Sequence, residues 1–399
     1  MSLVLALGIF TGCSKSAYTM SDVRVGDDLT FGKYQGEEIE WEVLSRNFLL
    51  EEGKVRVQLL SKYALDCQPF NEDGRSSWED CSLREWLNDD FYNSAFSKSE
   101  KKQIVKTTYF NYTGDVRYLS DNVYLISYLW YRFRADEALC KPTVYAEDQG
   151  VETQDGNCRY WGRDILNSTS IASTKSHDFA MVFDYDGDVT YGTKDDSNFE
   201  AETIGIRPVI NIEFKTKIDK SDIKTGDVLT FASYEGNPIE WLVVDKDKSG
   251  VTLLSRYGLD DMRMDRKVQE SFEDTELYEW LNDDFYKAAF SKRQQKKLVE
   301  FDEGGYVSLV SKELIMTQLK NSDNLKREAT SGYSMAFYED HPELEDKLPS
   351  EQKVLDLFWL SDLYPEKGEP CIVFNMSRFG IRVPPDKEYS VRPMIKISI

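Results

Sequence analysis

Histidine is nearly missing from this sequence: among 399 residues there are two, His177 and His341. Neither lies in a repeated segment, so acid–base or nucleophilic chemistry built on imidazole is not expected. The six cysteines, Cys13, Cys67, Cys81, Cys140, Cys158 and Cys371, include no C-x-x-C pair, which argues against a zinc knuckle or a thioredoxin-like motif. Positive charge is in short supply, with 49 Lys and Arg against 71 Asp and Glu, a formal net charge of −22. Such a surface repels nucleic acid and anionic lipid, and neither is expected as the main partner. Long apolar runs are absent as well: Leu3 to Phe10 is too short to cross a bilayer as a helix and reads as a signal-type segment.

What the chain does have is aromatic residues, 13% of the total with 23 Tyr, and a repeat. The aromatic content suits a β-rich fold and equally a surface for sugars or peptides. The stretch Trp86-Leu87-Asn88-Asp89-Asp90-Phe91-Tyr92 returns unchanged as Trp280-Leu281-Asn282-Asp283-Asp284-Phe285-Tyr286, so the chain reads as a tandem duplication. Leu83, Trp86, Leu87, Phe91 and Ala95 recur at helical spacing, as do Leu277, Trp280, Leu281, Phe285 and Ala289, predicting one buried helix face in each copy. Ser82 with Glu85 reads as a capping box, and Asp274 or Thr275 caps the second helix. A second short helix is predicted after it in each copy, from Ser97-Lys98-Ser99-Glu100 and from Ser291-Lys292-Arg293-Gln294.

Before the helices, each copy predicts strand, Gly-containing turn and strand. The first places Ile39, Trp41 and Val43 on alternate positions, and the second repeats Ile239, Glu240 and Trp241. A third strand is predicted over 55–60. Trp41, Trp241, Trp86 and Trp280 are read as core residues, and so is the Cys371 thiol. Asp184, Asp186 and Asp188 flank Gly187 in a pattern better suited to a hairpin turn than to a calcium loop. The copies close on Arg207-Pro208 and Arg392-Pro393, whose arginines are expected to be structural, buried and paired with a carboxylate such as Asp89 or Asp283.

The ordered set of Gly-Asp opening, Glu-Trp, Trp-Leu-Asn, aromatic-Trp and closing Arg-Pro resembles, twice, the bacterial domain of unknown function catalogued under number 6273. That resemblance implies a surface or secreted protein. It also implies an α+β fold of two similar domains, each a small antiparallel sheet with two short helices, similar to the C-type lectin and formylglycine-generating-enzyme fold. The run ending Gly12-Cys13 resembles a bacterial lipoprotein signal, which implies lipidation of Cys13 and an extracytoplasmic, membrane-anchored location. The expected layout is a signal segment over 1–12, a lipidated cysteine with a short tether over 13–21, and repeat domains over 22–214 and 221–399. Outside the cytoplasm, Cys67 with Cys81 and Cys140 with Cys158 could form bridges.

The family pattern has an Arg before the Trp-Leu-Asn segment and another after the aromatic-Trp; the first copy keeps them as Arg84 and Arg163, beside Trp161, and the second has Tyr278 and Ser361 instead. Those three residues of the first copy are the candidate ligand contacts. Catalytic residues, metal ligands and cofactors are not expected. The functional expectation is a non-catalytic, lipid-anchored surface module that binds an extracellular glycan, peptide or wall component. The alternative is an enzyme with a loop-built site on a formylglycine-generating-enzyme-like fold.

Overall fold

The computed structural model describes residues 5–6, 23–71, 77–110, 118–127, 138–167, 178–192, 203–302, 304–317, 358–364, 369–374 and 378–399. Cys13 lies outside these, as does the Cys371 side chain. The chain divides into two compact units, Met1–Arg46 with Lys54–Thr216, and Asn47–Gly53 with Lys217–Ile399.

The first unit opens on an antiparallel hairpin of Asp28–Tyr34 and Glu37–Leu49, with Leu29 opposite Trp41. Gln35 and Gly36 both take positive φ, the geometry a two-residue hairpin turn needs. Alternation puts Ile39, Trp41 and Val43 inside, and Trp41 Nε1 donates to the Phe31 carbonyl at 2.6 Å. The strand Lys54–Ser61 pairs antiparallel with Val209–Lys215 over seven residues, and Val209–Ile210 pair in turn with Val123–Tyr124.

Against this sheet lies the helical run 82–95, whose Leu83, Leu87, Phe91 and Ala95 are buried. A π turn, Leu87–Phe91, interrupts it. Cys81, not Ser82, is the N-cap, its Sγ accepting from the Arg84 N–H at 3.4 Å. Asn88 pins the run to the sheet by donating to the Val123 carbonyl and accepting from the Asn122 and Val123 N–H groups. Ser97 and Glu100 exchange both capping-box bonds, but the chain from there makes a turn rather than a helix.

In the second unit, Val228–Tyr234 and Asn237–Lys246 form the corresponding hairpin, with Trp241 Nε1 on the Phe231 carbonyl at 2.7 Å. Val251–Ser255 and Val307–Leu309 flank Pro393–Ile397, and Asn282 holds Tyr306 and Val307 as Asn88 holds Asn122 and Val123. Thr275 caps the helix and Ser291 with Gln294 closes a full capping box.

The expected α+β arrangement of small antiparallel sheets is overturned. Among the described residues, eleven strands belong to one mixed sheet, and smaller sheets of two to five strands accompany it; no lectin-like fold is shown. The reason lies in edges. Glu37–Leu49 runs thirteen residues against a seven-residue partner, and its last residues, Asn47–Leu49, which group with the second unit, pair in parallel with Val228–Thr230. Backbone donors and acceptors beyond a short hairpin partner need satisfaction elsewhere, and hydrophobic alternation tells which face is buried but not which edge is joined.

Candidate functional site

Two short hairpins in the first unit build a groove. Thr153–Gln154 pairs with Asn157–Cys158 around Asp155 and Gly156, both at positive φ, so Asp-Gly makes the tight turn. Asp178–Phe183 pairs with Val189–Gly192 around Asp184 to Asp188, where Gly187 N–H donates to the Asp184 carbonyl at 3.0 Å and Asp184 N–H to the Asp188 carbonyl at 2.7 Å. Gly187 takes φ +87 and lies against Leu139.

Between the hairpins is an open groove of about 440 Å³. Arg159 and Tyr185 are linked within it: the guanidinium carbon is 4.7 Å from the ring centroid, and Nε donates to Asp184 Oδ1 at 2.9 Å. The same Oδ1 accepts from the Tyr185 N–H, and Asn157 Nδ2 donates to the Tyr185 carbonyl at 3.3 Å. Gln154, Asp155, Asp186 and Leu139 complete the lining. One guanidinium meets three carboxylates, so the groove attracts neutral or cationic groups and repels anions. Its chemistry is that of planar surfaces and hydrogen-bonding amides and carboxylates.

Beneath the groove lie two buried thiols. Cys158 N–H donates to the Cys140 carbonyl at 2.8 Å, which brings the two residues side by side. Burial works to raise the Cys140 thiol, but the bond from Cys158 and the nearby Arg207 charge outweigh it and bring it below the ordinary thiol range. Cys158, holding the shared proton toward Cys140, is pushed up.

Arg207 is buried, donating from Nε to the Ser61 carbonyl at 2.8 Å and from Nη1 to the Tyr160 hydroxyl at 3.3 Å, with Glu42 at 3.9 Å. Arg392 in the second unit donates to the Ser255 and Arg256 carbonyls. Neither needs Asp89 or Asp283: Asp89 accepts from Asn93, and Asp283 pairs with Lys287.

The sequence-predicted contacts lie elsewhere. Arg84 grips Asp121 with two parallel bonds, Nε to Oδ2 at 2.8 Å and Nη2 to Oδ1 at 3.0 Å, and also donates to the Glu79 carbonyl. Tyr109 donates to Asp121 and accepts from Trp78 Nε1 at 2.7 Å. Arg163 stacks on Tyr109, 4.4 Å from ring centroid to guanidinium carbon, and donates to the Leu125 carbonyl at 3.0 Å. Tyr109 thus joins the two arginines in one cluster, and their donors serve the fold. Arg163 Nε is buried there without a hydrogen-bond partner. Trp161 is buried, with Nε1 on the Gln68 carbonyl at 3.0 Å, and offers no face for stacking a ligand.

The second unit shows why the cluster is not repeated. Gly305 stands where Asp121 does relative to Asn88 and Asn282, and a Cβ there would come within 2.5 Å of the Tyr278 hydroxyl. Tyr278 stands at the place of Arg84 and Gly305 at that of Asp121, with the Tyr278 hydroxyl filling the space beside Gly305. Trp86 and Trp280 are half-buried, each edge-on to a tyrosine, Tyr34 or Tyr234. Tyr34 bonds Asp66, and Tyr234 bonds Asp260 at 2.8 Å.

Residues 55–214 match the family of the domain of unknown function DUF6273. Arg84, Asp121, Tyr109, Arg163, the groove and the two buried thiols all fall inside the DUF6273 match. No curated protein and no solved structure matches the chain. Among the described residues, no group of three or more His, Cys, Asp or Glu is placed to hold a metal ion, and no helix is long and apolar enough to cross a membrane.

Sequence reading missed Arg159, Asn157, Gln154, Asp155 and Tyr185 as a set. The signals were there in pieces: Asp155-Gly156 is as strong a turn marker as Asp186-Gly187, and each turn lifts an aromatic, amide or carboxylate to the surface.

Proposed function

We propose that the protein is a lipid-anchored, extracytoplasmic binding module whose first unit takes up a saccharide of neutral or cationic character, such as an amino sugar of a cell-wall polymer. The observation that carries this reading is the groove in which Tyr185 and the Arg159 guanidinium present planar surfaces beside Asn157, Gln154, Asp155 and Asp186. Sugars are held by an apolar ring face resting on an aromatic and by hydroxyls shared among amides and carboxylates. The carboxylate excess favours an amino group on the ligand and disfavours uronic acids or phosphates. Arg84 and Arg163 then hold the fold through Asp121, Tyr109 and Leu125 rather than the ligand, and Trp161 acts as core.

Supporting a membrane tether is the apolar stretch ending Gly12-Cys13. Supporting a second, divergent copy of the DUF6273 domain over 221–399 are the repeated Trp-Leu-Asn-Asp-Asp-Phe-Tyr segment and the shared contacts of Trp41 and Trp241, Asn88 and Asn282.

The test titrates the chain with glucosamine oligomers, N-acetylglucosamine oligomers and a uronic-acid polymer. Binding in the order cationic, then neutral, then none, with a loss of about tenfold or more for Tyr185→Ala at unchanged melting midpoint, is expected. Preference for the uronic-acid polymer, or full affinity in Tyr185→Ala, rules the reading out.

A further inference from the structure

Cys140 and Cys158 sit on the two segments that carry the groove. Leu139, which lines it, precedes Cys140, and Asn157 and Arg159, which line it too, flank Cys158. Both sulfurs are buried, 2% and 0% exposed, and the backbones are joined by the 2.8 Å bond from Cys158 N–H to the Cys140 carbonyl. Two residues joined directly by a main-chain hydrogen bond have Cα atoms within the range that a disulfide spans. Among the described residues, Cys140 Sγ has weak contacts to the Lys141 and Lys62 carbonyls at 3.5 and 4.0 Å. The other two described thiols are placed differently. Cys81 is spent capping its helix, and Cys67 is half-buried beside Asp66.

We propose that Cys140 and Cys158 are a disulfide-forming pair that cross-links the two segments carrying the groove. In the structure both are thiols. The chemistry is thiol–disulfide exchange with an oxidant that is itself a disulfide, either an oxidoreductase or a small molecule such as oxidised glutathione. The Cys140 thiolate attacks one sulfur of the oxidant, forming a mixed disulfide and releasing the other sulfur as a thiolate. That thiolate takes the Cys158 proton. The Cys158 thiolate then attacks the Cys140 sulfur of the mixed disulfide and expels the oxidant's second sulfur as a thiolate, which takes up the proton that Cys140 released, so two cysteines lose two electrons and the oxidant gains them. Because both sulfurs are buried, exchange takes place while the chain folds or while the Thr153–Cys158 hairpin is open. The closed loop is short, and its cross-link restrains the unfolded chain and the groove walls together.

This inference rests on the binding reading only for the use of the groove; the bond is measured without any ligand. The full chain is unfolded, refolded with an excess of oxidised glutathione, quenched in acid, alkylated and mapped by mass spectrometry without reduction. The expected product is one cross-linked peptide pair containing Cys140 and Cys158, lighter by two hydrogens than the two thiol peptides, with Cys67 and Cys81 alkylated. Adding a reductant should then lower the melting midpoint by roughly 5–10 °C, and should leave a Cys140→Ser/Cys158→Ser chain unaffected. Quantitative alkylation of Cys140 and Cys158 after oxidative refolding, or cross-linking of either to Cys67 or Cys81 instead, overturns the proposal. A cross-linked chain that takes up no saccharide removes the binding reading and leaves the disulfide standing.

Discussion

Arg207 lies 2% exposed between the Ser61 carbonyl and the Tyr160 hydroxyl, its guanidinium also facing the Tyr160 ring at 5.3 Å. A buried cation bonded to a carbonyl and a hydroxyl, with the Glu42 carboxylate at 3.9 Å, ties together the segments that carry them, and removing it leaves those acceptors without that donor. Arg207→Ala should therefore lower unfolding free energy by ~3–5 kcal/mol, read by urea denaturation; an unchanged midpoint would show that Ser61 and Tyr160 find other partners. Glu213 gives a pH-dependent counterpart. Burial works to raise its carboxyl, but bonds from Arg56 and Lys54 outweigh that and hold it below the usual carboxylate range. With the folded value depressed, its contribution is present above the unfolded glutamate value and is lost as pH falls through the folded value. Stability measured from pH ~5 down to ~3 should fall less steeply in Glu213→Gln than in the parent. Equal slopes would mean that the ion pair contributes nothing to the acid limb.

At the scale of elements, the two opening hairpins carry the same bulge with different residues. Gly32 takes φ +76 and Ala232 takes φ +66, each where the register slips between the paired strands. An alanine at positive φ is strained by about 1 kcal/mol, so Ala232→Gly should be neutral or stabilising by up to that amount. Gly32→Ala should be clearly destabilising, because a Cβ there meets Phe96 at 2.7 Å and the Ala95 carbonyl at 2.8 Å. Thermal melts of the two variants decide it, and a stabilised Gly32→Ala would contradict the packing described. Elements were also where the sequence was most readable. The period of Leu83, Leu87, Phe91 and Ala95 marks a helix face that is buried, and Trp41 and Trp241 fall on inward positions of their strands. Sheet membership was not readable, because the pairing of Asn47–Leu49 with Val228–Thr230 joins residues about 180 positions apart and leaves no local mark. Nor was the fate of Arg84, whose carboxylate, Asp121, comes 37 residues later on a hairpin strand.

For the molecule as a whole, the candidate groove belongs to the first unit and draws on residues from 139 to 186, a spread that explains why no compact motif announced it. Cys13→Ser should release the protein from the membrane fraction if the lipid tether is real, and unchanged fractionation would rule the tether out. The proposed function depends on the first unit's groove receiving a saccharide. Hydrogen–deuterium exchange on the full chain, with and without glucosamine oligomers, reports where contact occurs and so bears on that claim without an intermediary. Slowed exchange over 153–159 and 184–188, with no change at the opening hairpin of the second unit, 228–246, is the expected result; protection confined to other segments, or absent at saturating oligomer, would contradict it.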